Sequence, residues 1–256
     1  AGFAQKTVQS IVRRIRGSPY AHADETGWRE DGINGYLWSF STPECRYFHF
    51  DRSRAGAVAR QVLGPCFSGV LVCDFYSGYN WYDGPIQRCW VHFLRDLKKL
   101  LEANPDNGSV RDWVESVRAI YKLAKKTAGR KLSEQLRMKF RRELEDKLIH
   151  VAKACLKNKS APQRVLAERI EKHLNELFTF VEYPGCPSGN NPAERAIRPA
   201  VIARKVSGGT RSEEGSRTRT TLMSVFGTWT LQGKDLLTAC SHMIAQAQIP
   251  AQLPAQ

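Results

Sequence analysis

The run Gly69-Val70-Leu71-Val72-Cys73 is apolar at every position after its glycine and stops at a carboxylate, Asp74. A strand without polar alternation needs cover on both faces, the condition of a parallel strand packed between helices. This one segment constrains the chain to an α/β class.

The flanking segments fit that class. Residues 19–24 follow Gly17-Ser18-Pro19 and read as a short strand ending at Asp24. Residues 35–41 alternate, with Tyr36, Trp38 and Phe40 on one side, and residues 45–50 repeat the aromatic composition after Pro43. The three predict a meander of strands. Ser53 is placed to cap a helix over 54–63, closed by Gly64-Pro65. Ile86 to Val91 predicts a further strand, running into helical spacing at Phe93, Leu94, Leu97, Leu100 and Leu101. From there apolar residues recur at helical intervals through Phe178, so the span 105–185 is predicted as a helical insertion. Pro184, Gly185, Pro187 and Gly189 break the pattern, and Asn191-Pro192 offers an N-cap with proline at the first helical position. A basic stretch is expected after Pro199, then helices over 218–229 and 234–246.

This divides the chain into an N-terminal basic helix (1–18), with Phe3, Val8, Ile11, Val12 and Ile15 on its apolar side, that ends an upstream region; a core (19–104 and 186–246); the insertion (105–185); and a tail (247–256). Lys and Arg number 39 against 25 Asp and Glu, a net charge of +14, which favours a polyanionic partner. Seven cysteines and no secretory leader predict a reducing, cytoplasmic setting without a disulfide framework. No apolar run reaches the roughly 18 to 20 residues of a membrane span.

Asp24 and Asp74 are separated by two strands and a helix, which allows a right-handed crossover that sets their strands side by side. Ligands of open α/β sheets gather at carboxyl ends of strands. Two aspartates there are hard oxygen donors suited to Mg²⁺ or Mn²⁺, and two such ions about 4 Å apart steady both oxygens of an in-line displacement at phosphorus. Glu194, in the first turn of a new helix, is the candidate third carboxylate. Structural roles compete at each position: Asp24 as a turn residue before Gly27, Asp74 as a helix cap, and Glu194 as partner of Asn191 in a capping box.

Other residues carry weaker signals. Cys89 and His92 have a zinc-like spacing, but with Cys73 they make only three of the four ligands needed. His92 lies on one helical face with Asp96, a support position near a scissile phosphate. Arg195, Arg198, Arg204, Lys205, Arg211, Arg217 and Arg219 crowd the stretch after Glu194 and are predicted to grip DNA phosphates. Trp28 and Trp81 are stacking candidates that fit a core role better.

The strings His22-Ala23-Asp24-Glu25-Thr26-Gly27-Trp28, Asp74-Phe75-Tyr76-Ser77-Gly78-Tyr79, Gln87-Arg88-Cys89-Trp90-Val91-His92 and Asn190-Asn191-Pro192-Ala193-Glu194-Arg195 resemble transposases of the insertion-sequence sixty-six family. Arg198-Pro199, Arg204-Lys205 and the segment from Ser207 to Gly215 continue the likeness, which extends in order from about residue 20 to residue 235. The resemblance implies a ribonuclease-H-like fold, a DDE triad of Asp24, Asp74 and Glu194, and two divalent ions. It also implies hydrolysis at element ends and attack of the freed 3′-hydroxyl on target DNA. DNA is then the partner, a homodimer on paired ends is compatible, and the setting is a bacterial cytoplasm at the nucleoid. The long interval between Asp74 and Glu194 is what a helical insertion would produce. Cys73 stands where the family often has a small polar residue, and no cysteine-containing N-terminal region precedes residue 20. A nuclease of the same fold and a catalytically idle DNA-binding module are the competing readings.

Overall fold

The computed structural model describes residues 4–248; Phe3 of the amphipathic stretch and positions 249–256 of the expected tail lie outside the described residues. Helices and strands together give a mixed α/β fold, with both antiparallel and parallel strand pairs. Contacts divide it into two compact units. One takes in Ala1–Gly69, Gly78–Trp81 and Pro192–Gln256, the other Val70–Ser77 and Tyr82–Asn191.

The first unit is built on the predicted meander. Strands β1 (Tyr20–Glu30), β2 (Ile33–Ser41) and β3 (Arg46–Asp51) pair antiparallel, β1 with β2 and β2 with β3. The sequence reading ended the first strand at Asp24; β1 instead continues to Glu30, leaving Asp24 in mid-strand. The reversal lies at Asp31-Gly32, both with positive φ (51° and 74°), which joins Glu30 to Ile33 by a two-residue turn. Asp-Gly is a preferred pair where both turn residues need φ above zero, because that twist matches the flanking strands. Asp24, weighed as a turn residue before Gly27, forms no turn: it pairs with Ser39 and Gly27 with Tyr36 across the hairpin.

Around this sheet lie α1 (Gln5–Arg16), α2 (Gly56–Leu63), α8 (Asn191–Ser207), α9 (Glu213–Leu231) and α10 (Leu236–Gln248). Helix α2 starts later than expected because the Ser53 hydroxyl accepts from Ala55 N and forms the preceding turn. Helix α8 does not give way after Pro199 but continues to Ser207, where Gly208 (φ 74°) closes it by donating to the Arg204 carbonyl. Proline removes one helical N–H, and the Ala193, Ala196, Ile197 and Ala200 face is buried enough to hold the helix through it.

Helix α9 runs along the outer edge of β3. The Ser224 hydroxyl accepts from Phe48 N at 2.9 Å, and Thr228 Oγ1 both accepts from Arg46 N and donates to Arg46 O at 3.0 Å. Side-chain hydroxyls thus satisfy edge groups that would otherwise invite another strand.

The second unit holds the parallel pair β4 (Val70–Cys73) and β5 (Ile86–Arg88), with α3 (Trp90–Ala103), α4 (Gly108–Ala128), α5 (Glu134–Leu156), α6 (Arg164–Leu177) and α7 (Thr179–Glu182). β4 is buried at all four residues, as its apolar run requires. β5 is shorter than predicted, since the helix begins at Trp90 and takes over Trp90 and Val91. Trp90 explains the change: its ring stacks on Tyr121 of α4 (centroids 4.6 Å apart) and packs on Phe178, an anchorage a strand position would not provide.

Candidate active site

Asp24 shares its sheet face with every second residue of β1. Through the antiparallel register it stands opposite Ser39 of β2, which stands opposite Phe48 of β3. Two positions further along the same face, Trp28 is buried with Leu37, Phe48, Ala196 and Ala200. The alanines belong to α8, so the helix that carries Glu194 in its first turn packs on the face that carries Asp24. Asp24 and Glu194 are both part-buried.

The surroundings of Asp24 are polar where a core would be apolar. Asp24 Oδ1 accepts from the Glu25 amide at 2.9 Å, which orients the carboxylate. The neighbouring Ser39 is fully buried, and its hydroxyl has no hydrogen-bond partner. A buried orphan hydroxyl costs about 1 to 3 kcal/mol unless a ligand or water meets it. Glu25, on the opposite face, is consumed structurally by Arg54 at 2.8 Å and the Tyr79 hydroxyl at 2.6 Å.

Asp74 occupies the first position after β4, in a loop whose backbone is clamped from below. Its Oδ1 accepts from Tyr76 N at 2.9 Å. The clamp is Arg88, fully buried at the end of β5: its Nη1 donates to the carbonyls of Asp74 (2.9 Å) and Tyr76 (3.2 Å) and to Cys73 Sγ (3.6 Å). A buried guanidinium needs a counter-charge, and Glu176 of α6 supplies it through Arg88 Nε, with His173 Nδ1 on the same carboxylate oxygen at 2.9 Å. Burial pushes the Glu176 carboxyl up, but the hydrogen bonds from His173 and Arg88 and the Arg88 charge outweigh it and hold it below the ordinary glutamate range. Cys73 beside this cluster has its thiol pushed up by burial.

Within the same unit the Cys89 thiol accepts from Asn190 N at 3.0 Å, and Trp90 N donates to Ser188 O, which ties the segment leading into α8 to the end of β5. His92 stands part-buried in the first turn of α3; Asp96, one turn on, is committed to Arg169 and Lys99.

The basic residues separate into two groups. Arg195, Arg198, Lys205, Arg211 and Arg217 are exposed. Arg204 instead donates to Thr26 Oγ1 (3.3 Å) and the Gly27 carbonyl of β1, and Arg219 lies over the Trp28 ring with its Cζ 4.7 Å from the centroid. Trp28 itself is 2% exposed and donates to Thr210 Oγ1, so it is core. Trp81 packs beside Gly56 of α2 with Arg60 over its ring. Arg46 of β3 was not singled out by the sequence reading; the available signal was a cation opening an aromatic strand on the Phe48 face. The donor chemistry of Asp24, Asp74 and Glu194 consists of hard carboxylate oxygens, which fits Mg²⁺ or Mn²⁺ and not a soft metal.

Comparison with known proteins gives a family. The model described as Transposase IS66 family matches residues 2–218. Uncharacterized protein y4jO of Sinorhizobium fredii is 29% identical over 144 residues, 55% of this chain and 42% of its own length. Uncharacterized protein y4qI of the same bacterium is 24% identical over 280 residues, 94% of this chain and 50% of its own. The chain thus matches half or less of the length of these relatives.

Proposed function

This chain belongs to the IS66 family of transposases, and on that premise we propose that it carries the catalytic centre of a DNA transposase, with Asp24, Asp74 and Glu194 as the metal-binding carboxylates of a ribonuclease-H-like core. The observation that carries the reading is the sharing of one sheet face by Asp24 and α8, the helix of Glu194, with the orphan Ser39 hydroxyl beside Asp24. A structural aspartate in mid-strand is poorly explained otherwise, because it lies half-buried among polar groups and has no turn to form.

Two bound Mg²⁺ or Mn²⁺ ions would supply Lewis-acid activation of the attacking and leaving oxygens at phosphorus. The chain's own residues do the positioning. The Glu25 and Tyr76 amides orient the two aspartates, and Arg88 holds the backbone on which Asp74 is presented. Arg195, Arg198, Lys205, Arg211 and Arg217 hold the DNA backbone; phosphate contacts of this kind set register and carry no sequence information. The partners are then transposon ends and target DNA, with a homodimer on paired ends as the working assembly. No helix among the described residues is long and apolar enough to cross a membrane, in keeping with work on DNA at the nucleoid.

The test is metal-dependent nicking of plasmid DNA, followed by strand transfer with pre-cut ends. Asp24→Asn and Asp74→Asn should each lower cleavage by about 100-fold or more, the kinetic equivalent of roughly 3 kcal/mol, with circular dichroism unchanged. Full cleavage in both variants would refute the assignment, and nicking without strand transfer would reduce the protein to a nuclease.

A further inference from the structure

A cleft of about 960 Å³ opens between α8 and α9, floored by β3. Its size lies in the range of roughly 300 to 1,000 Å³ usual for ligand sites. It lies entirely in the first unit and on the same sheet face as Asp24, since Phe48 of its floor is in the cross-strand row Asp24, Ser39, Phe48. Two inter-strand spacings separate the ends of that row, about 10 Å.

Its lining is chemically divided. Phe48, Leu222, Met223 and Phe226 form apolar walls, while Arg46 and Arg219 bring guanidinium groups into it. The Nε atoms of both arginines are buried and have no hydrogen-bond partner. Neither arginine has an ion pair among the described residues, and Arg195 is close enough to repel Arg46. Burial first, and then that repulsion, disfavours the charged form of Arg46. Glu214, exposed in the first turn of α9, is the single carboxylate among the described lining residues. Gly227 keeps the arrangement open: a Cβ there would lie 3.3 Å from Arg46 Cδ.

Half-buried cations with no ion pair among the described residues and with unpartnered Nε atoms, set beside aromatic and thioether walls, are complementary to one kind of body: a phosphate joined to a flat, weakly polar ring. Base stacking on such walls is worth about 1 to 3 kcal/mol, and a phosphate would restore the missing hydrogen bonds of the guanidinium groups. We propose that the α8–α9 cleft receives one unpaired nucleotide of DNA, its phosphate against Arg46, Arg195 and Arg219 and its base against Phe48, Met223 and Phe226. This rests on the transposase reading, which brings DNA to the same face, and adds to it a site for a nucleotide next to the cleavage point. It accounts for a cavity that a purely duplex-gripping protein would not need.

Binding is measured by fluorescence anisotropy on two duplexes of equal sequence, one blunt and one with a single unpaired 5-iododeoxyuridine at its 3′ end, with photo-crosslinks mapped by peptide mass spectrometry. The overhang duplex should bind about tenfold tighter than the blunt one, as one stacked base would give, and crosslink to peptides holding Phe48, Met223 or Phe226. Arg46→Met and Thr218→Trp, the latter filling the cleft from its rim, should each bring the preference close to one at unchanged melting temperature. Arg46→Lys, which keeps the charge, should retain most of it. Equal binding of the two duplexes, crosslinks confined to other peptides, or a preference that survives both variants would overturn the cleft assignment alone. Failure to bind either duplex would sink the transposase reading with it. Free thymidine monophosphate erasing the overhang advantage at concentrations below the DNA would reassign the cleft to a mononucleotide and overturn the DNA assignment.

Discussion

At the scale of single residues, Gly209 is the position where a missing side chain matters most to the candidate face. Its φ is 141°, and a Cβ would come within 2.1 Å of the Arg29 carbonyl, because Thr210 N donates to that carbonyl and Asp31 N to Thr210 O. The Gly208-Gly209-Thr210 stretch, quoted in the resemblance for its sequence alone, is thus what lets the chain after α8 lie against the end of β1. Gly209→Ala should destabilise the protein by about 1 to 3 kcal/mol or more, whereas Gly208→Ala, with φ 74° and open space around it, should cost only about 1 kcal/mol. Thermal melts of the two variants make the comparison; equal melting temperatures would refute the close-approach account. Glu194→Gln belongs to the same scale. Gln can still serve in a helix-start box, so activity should fall while the melting temperature holds, and a loss of both would assign Glu194 to capping.

At the scale of elements, the string Gln87-Arg88-Cys89-Trp90 joins β5 to α6 and α7. Buried Gln87 donates to Leu177 O and accepts from Phe180 N, and the Thr179 hydroxyl donates to Ile86 O. Arg88 then faces Glu176 on one side and the Asp74 loop on the other. The Glu176 carboxyl titrates below its ordinary value of 4.5 in the fold, so its contribution is fully present above that value and is lost as pH falls through the folded one. Glu176→Gln should lower stability at pH 7 by about 3 kcal/mol, the scale of leaving a buried charge without its partner, and flatten the stability profile below about pH 4.5. Denaturant unfolding across pH 3 to 7 reads both effects. An unchanged acid profile would show that this pair does not anchor the loop. In helix α9, expected from its apolar residues, Ser216, Thr220, Ser224 and Thr228 form a buried stripe of hydroxyls at four-residue spacing beside the buried Val225 and Trp229. Apolar spacing does not reveal that stripe, yet its Ser224 and Thr228 are what close the β3 edge.

At the scale of the whole molecule, the charge of +14 acts through residues that are free to meet a polyanion. Arg204 and Arg219 are held by β1 and Trp28, so their removal would mix structural loss with binding loss. Arg198, Lys205 and Arg211 are exposed and give the cleaner test. Replacing all three by alanine should weaken DNA binding alike for all sequences and reduce the salt slope by about 0.9 for each residue that holds a phosphate. A slope identical to that of the parent protein would remove these three from the interface.

What the amino-acid sequence determined by itself was local and periodic. The apolar run before Asp74 required a doubly covered strand, alternation gave the meander, helical spacing gave α3 to α6, and the quoted strings led to the family. Each of these depends on neighbours within a few residues, where sterics and hydrophobic period decide. Tertiary structure alone decided that β1 passes through Asp24, that α8 continues past Pro199, that Arg88 is the counterpart of Glu176, and that Arg46 faces a cleft. Those outcomes rest on contacts between segments far apart in the chain, whose burial energy overrides local preference and whose partners no single stretch of sequence names.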